Sequence, residues 1–146
     1  MVAAVPASRG ADRAVDQVVD RGVDHSVDAV HEPLVTAPAR IRRSLRATFA
    51  QWQLPVEAAE NALLVVEELV ANVVDHARTP FRLTVRHTGP SLRITVRDGS
   101  PATLQPRPFH ARAGRGRGLQ MIDALTSRWG CDRTAGGKTV WAVLPA

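Results

Sequence analysis

FRLTVRHTGPSLRITVR, residues 81–97, sets the architecture. Phe81, Leu83 and Val85 alternate with Arg82, Thr84 and Arg86, and Leu92, Ile94 and Val96 alternate with Arg93, Thr95 and Arg97. A period of two on both sides of Thr88-Gly89-Pro90-Ser91 predicts an antiparallel hairpin with one buried and one polar face. Upstream the period lengthens. Ile41, Leu45, Phe49 and Trp52 recur at three- and four-residue spacing after Pro38, which predicts an amphipathic helix ending before Pro55. A second helix is expected from Pro55–Glu57 to about Ala77, with Leu63, Val66, Val70, Val73, Val74 and Ala77 as its apolar stripe. Downstream, Leu119, Ile122, Leu125 and Trp129 mark a third helix closed by Gly130, and a turn at Ala135-Gly136-Gly137 leads into a final strand, TVWAVL (139–144). The order predicts an α+β fold, a two-layer sandwich of helices on one mixed, largely antiparallel sheet.

The chain has 146 residues, 45% of them hydrophobic, which suits a single globular core. Its lone cysteine, Cys131, excludes an intrachain disulfide framework and a multi-cysteine metal site. No stretch reaches the roughly 18 apolar residues of a membrane span, and no secretory leader is evident, so a cytoplasmic location is expected. The net charge of +5 is uneven: residues 1–32 carry −3 and the remainder +8. The basic residues are scattered and accompany no nucleic-acid-reading motif, so direct nucleic-acid binding is not expected.

Residues 1–33 read differently from the rest. Val-Asp recurs at 15–16, 19–20, 23–24 and 27–28, a period that gives only a drifting stripe on a helix. We expect an acidic segment that is poorly ordered or marginally helical, followed by one domain at 34–146. The alternative is an edge strand near Ala29–Val35.

Two phosphate motifs are imitated and rejected. Gly137-Lys138-Thr139 resembles the end of a P-loop, but Asp132 stands where glycine is required and a strand follows instead of a helix. Gly114, Gly116 and Gly118 form G-x-G-x-G without a preceding strand, unlike a dinucleotide fingerprint. Those glycines still run into a helix start, where backbone N–H groups and the helix dipole suit an anion. They lie in a loop of roughly twenty residues with several arginines, a length that is usually either a functional lid or disordered. Glu68, Asn72 and His76 recur every fourth residue opposite the core stripe of the second helix. A carboxylate and an amide one turn apart suit a hydrated hard cation and a proton acceptor, although polar residues there also make an ordinary solvated face. Asp98 ends the hairpin in Asp-Gly-Ser-Pro, which is good turn chemistry and also places a carboxylate to accept from an amine.

In chain order these stretches resemble the GHKL (Bergerat-fold) ATPases, and more narrowly the small bacterial anti-sigma-factor serine kinases. EELVANVVDHA (67–77) resembles the N-box, VRDGSP (96–101) the G1 box, GRGRGLQMIDAL (114–125) the G2 box and GGKTVWAVL (136–144) the closing strand. The resemblance implies Glu68 as general base and Asn72 as Mg²⁺ ligand, with His76 facing the nucleotide. It implies Asp98 and Gly99 at the adenine, and Gly114, Arg115, Gly116, Arg117, Gly118 and Leu119 at the phosphates. It also implies Thr139 near the base. Ser100-Pro101 stands where many superfamily members have a further glycine. The expected cofactors are therefore ATP and Mg²⁺. The implied activity is transfer of the γ-phosphate to Ser or Thr of an anti-anti-sigma protein of the STAS type. A sigma factor is the implied second partner, and a homodimer the implied assembly. The alternative is a protein-binding regulator, dependent on ATP or not, without useful kinase activity.

Overall fold

The computed structural model describes residues 24–100 and 118–146. Strand β1 (Asp24–His31) is followed by helices α1 (Ala37–Gln51) and α2 (Val56–Asn72). A π-helical turn (Val73–Ala77) extends α2. The hairpin β2 (Phe81–Thr88) and β3 (Ser91–Asp98), helix α3 (Gly118–Leu125) and strands β4 (Arg128–Thr134) and β5 (Gly137–Pro145) complete the order. The sheet runs β1-β2-β3-β5-β4, and every pairing among these strands is antiparallel. The expected sandwich of helices on a sheet is what forms, with an antiparallel sheet rather than a mixed one.

The hairpin has the register that its alternation predicts, Phe81 opposite Asp98 and Thr88 opposite Ser91, and Gly89 turns it at φ +59°. Leu83, Val85, Leu92, Ile94 and Val96 face the helices and are buried. The outward row places Arg82 against Arg97, Thr84 against Thr95 and Arg86 against Arg93.

Helix α1 carries Pro38 in its first turn, where a missing N–H costs nothing, and buries Ala37, Ile41, Leu45 and Phe49 at four-residue spacing. Phe49 is almost wholly buried, and burial of such a side chain contributes about 1.5–3 kcal/mol. Helix α2 is apolar over most of its circumference because it lies between α1, α3 and the sheet.

Two elements depart from expectation. The acidic N-terminal segment enters the sheet from Asp24 onward as the edge strand β1, earlier than the Ala29–Val35 alternative. In SVDAVH (26–31), Val27 packs against the core while Asp28, on the other face, binds Arg82 Nη1 at 2.8 Å and Thr84 Oγ1 at 3.0 Å. The end of the valine-aspartate segment, expected to be poorly ordered or marginally helical, is here a strand; residues 15–23 lie outside the described residues. The third helix ends at Leu125 instead of Trp129, because Arg128–Thr134 pairs with β5. Trp129 and Cys131 reach the core from that strand. Gly130 lies against Trp141, where an added Cβ would come within 2.7 Å of Cζ2.

Candidate functional site

The candidate residues lie on the second half of α2 and the turn after it, at the end of β3 and at the start of α3. Glu68 is a buried carboxylate on an otherwise apolar stretch of α2, and it is 8% exposed. Its neighbour Glu67 faces α1 and accepts from Arg42 Nη1 at 3.1 Å. The two adjacent carboxylates thus have different environments, one paired across the helices and one turned inward. Gly118, the first residue of α3, lies directly against the Glu68 carboxyl group, and a Cβ there would fall on Oε2. Any side chain at 118 would require the Glu68 carboxyl group to shift.

Asn72 follows Glu68 by one turn and is the last α-helical residue before the π-helical turn. The Arg78 N–H bonds the Val73 carbonyl at 2.7 Å, and Arg78 ends the turn in the left-handed region at φ +56°. Such turns occur disproportionately at functional sites, and sequence periodicity does not announce them. His76 lies within this turn and is exposed.

The end of β3 is tied to the same corner. The Gly99 N–H donates to Thr79 Oγ1 at 2.8 Å, linking the G1-like stretch to the segment that leaves α2. Asp98 is 4% exposed. Its Oδ1 accepts from the Ser100 N–H at 2.7 Å, and its Oδ2 accepts from Lys138 Nζ at 2.9 Å. Ser100, where a further glycine is common in the superfamily, thus uses its amide to fix the Asp98 carboxylate.

Thr139 stands on the opposite face of the sheet from Asp98. β5 alternates, so Lys138 stands opposite Asp98 on the inner face and Thr139 stands opposite Arg97 on the outer one. A one-residue shift along a strand changes the face, so Lys138 and not Thr139 stands beside Asp98. Lys138 was not among the candidates read from the sequence, although the parity of TVWAVL against LRITVR puts it on the Asp98 face. Gly137 permits this approach, since a Cβ there would meet Gly99 Cα at 2.7 Å and the Asp98 carbonyl closer still.

Gly118 and Leu119 open α3, and Leu119 packs partly against the core. Gly114, Arg115, Gly116 and Arg117 lie outside the described residues. Among the described residues no cluster of three His, Cys, Asp or Glu side chains forms a metal cage, and no helix is long and apolar enough to cross a membrane. A Mg²⁺ ion that arrives with phosphates needs less, because it keeps several waters and takes one or two protein oxygens. The Asn72 amide oxygen, one turn from the Glu68 carboxylate, fits that requirement.

A crystal structure of the RsbU and RsbW domains of Rv1364c from Mycobacterium tuberculosis matches with a TM-score of 0.64 at 20% identity, over 84% of this chain and 33% of that one. The histidine kinase domain from the Erythrobacter litoralis EL346 blue-light activated histidine kinase matches with a TM-score of 0.48 at 23% identity, over 63% of this chain and 46% of that one. This chain therefore spans about a third of the first protein's length and about half of the second's. At these identities the likeness is one of fold. A search of curated proteins gave no match. Residues 32–144 match the histidine kinase-like ATPase domain model, and the chain belongs to that family.

Proposed function

We propose that this domain binds ATP with Mg²⁺ and transfers the γ-phosphate to a serine or threonine of an anti-anti-sigma partner of the STAS type. In the same reading it sequesters a sigma factor and acts as a homodimer. The observation that carries it is the seat of Gly118, at the start of α3, against the buried Glu68 carboxyl group one turn before Asn72. The RsbW domain of the mycobacterial structure supports the direction of the reading through its shared fold.

ATP and Mg²⁺ supply the transferable phosphoryl group and the charge that neutralises it. Asn72 offers the amide oxygen for the metal. Glu68 accepts the proton of the incoming hydroxyl, and its inward position keeps that carboxylate from the ion pair that occupies Glu67. The first turn of α3 offers backbone N–H groups without helical partners to a phosphate. Asp98 accepts from the exocyclic amine of the base. Phosphoryl transfer depends chiefly on position and charge stabilisation, so this small set suffices.

The test is transfer of label from γ-labelled ATP to a STAS-domain protein, run beside calorimetric titration of ATP with and without Mg²⁺. Label on a serine or threonine of the substrate supports the kinase. Nucleotide-dependent partner binding without transfer replaces it with a regulator, and the absence of nucleotide binding by the folded protein overturns the reading.

A further inference from the structure

Lys138 is the only lysine in a chain with 19 Lys and Arg residues, and it is buried, at 6% exposure. A buried cation needs a reason, because desolvation costs several kcal/mol and is offset only by good partners. Its partner is Asp98, the carboxylate that the nucleotide reading assigns to the base, and the two stand opposite each other on the inner face of the sheet. Lysine suits the place better than arginine, being a compact ammonium with three donors instead of a broad planar fork.

The bonds leave capacity for a ligand. An ammonium has three N–H donors and each carboxylate oxygen two lone pairs. Lys138 gives one donor to Asp98, and Asp98 receives one bond on each oxygen. The pair thus sets an acceptor and a donor side by side at 2.9 Å. The edge of adenine has the complementary order, an exocyclic amine that donates beside a ring nitrogen that accepts.

We propose that Lys138 is a second base-reading residue, donating to adenine N1 while Asp98 accepts from the N6 amine. This rests on the nucleotide-site reading above and extends it: base specificity comes from the Asp98–Lys138 pair rather than from the carboxylate alone. Each bond involves a charged group, and losing one leaves a buried polar atom unmatched, so each discriminates by about tenfold or more.

The experiment titrates the full chain with ATP, with 1-deaza-ATP, which has C–H in place of N1, and with GTP, then repeats the series with Lys138→Met. Wild type is expected to bind ATP at least about tenfold more tightly than 1-deaza-ATP or GTP. In Lys138→Met, ATP is expected to weaken to the level of 1-deaza-ATP, whose own affinity stays within about twofold of its wild-type value. The wild-type series stands without the variant, which matters because removing the cation leaves Asp98 buried and destabilises the fold. A thermal melt identifies that outcome. Equal wild-type affinity for ATP and 1-deaza-ATP, ATP binding by Lys138→Met as tight as in wild type, or GTP binding as tight as ATP each overturns the proposal while leaving the nucleotide site intact. Failure of wild type to bind any nucleotide overturns both.

Discussion

Gly118 and Glu68 are packed so closely that no side chain fits between them: the Cβ of an alanine at 118 would fall on the Glu68 carboxyl group. The start of α3 and the present orientation of the candidate base are thus coupled. Gly118→Ala is expected to push the carboxyl group aside at a cost of about 1–3 kcal/mol. A thermal melt lowered by several degrees, together with reduced phosphate transfer, is the expected result. An unchanged melt would show that the two elements separate freely.

The unequal environments of Glu67 and Glu68 yield a paired test. Glu68→Gln is expected to lower phosphate transfer by about 10²–10⁴-fold while ATP binding persists, as for loss of a general base. Glu67→Gln breaks only the half-exposed pair with Arg42, which is worth about 1 kcal/mol or less, and should leave transfer within twofold. Equal losses in both variants would remove Glu68 from the assigned role.

Asn72 provides the metal test. In the proposed function Asn72 gives one amide oxygen to a phosphate-borne ion, so Asn72→Ala is expected to weaken ATP binding in the presence of Mg²⁺ and to leave the much weaker metal-free binding unaltered. Calorimetry with and without Mg²⁺ separates the two. Retained magnesium dependence in the variant would assign the metal to another group.

The hairpin was legible because one face is apolar and the other is not, so Phe81–Asp98 has one sensible register. Glu68, Asn72 and Asp98 were legible as an ordered set along the chain, whereas the approach of Gly118 to Glu68 is a tertiary contact. β4 was not. Trp129 lies four residues after Leu125, so a residue held in the core by a strand completed an apparent helical stripe, with the break at Thr126-Ser127 unmarked by glycine or proline. The neighbour of Asp98 on β5 was hidden for a subtler reason: a motif locates a strand to within a residue, but one residue decides the face. The π-helical turn after Asn72 is a hydrogen-bonding choice of the backbone that VVDHA does not advertise.

Gly136 and Gly137 are adjacent and make opposite demands. A Cβ at Gly137 would run into the Asp98 carbonyl and the Gly99 Cα, backbone atoms that cannot swing away, whereas a Cβ at Gly136 meets nothing within 4 Å. Gly137→Ala is expected to open the end of the β3–β5 pairing, to cost about 1–3 kcal/mol or more, and to weaken nucleotide binding through Asp98. Gly136→Ala should stay within about 0.5 kcal/mol. Chemical denaturation of the two variants makes the comparison, and equal stability would contradict the packing at this corner.

His31, which ends β1, stacks on Phe81 with ring centroids 5.4 Å apart. Burial lowers its pKa below the ordinary value of about 6.5, and the nearby Arg40 charge lowers it further. The folded state therefore binds the imidazole proton less readily than the unfolded chain does. Between the depressed folded pKa and the ordinary one, the unfolded chain holds more protons, so stability rises with pH. This contribution is fully present above about pH 6.5 and is lost as pH falls through the folded value. Because β1 is an edge strand against β2, which begins at Phe81, acidification is expected to loosen the Asp24–His31 pairing first. Amide exchange across β1 and β2 at pH 7 and pH 5 is the measurement, with His31→Gln as the reference. In that variant the acid-induced loss of β1 protection should shrink. An unchanged pH dependence would assign the effect to another group.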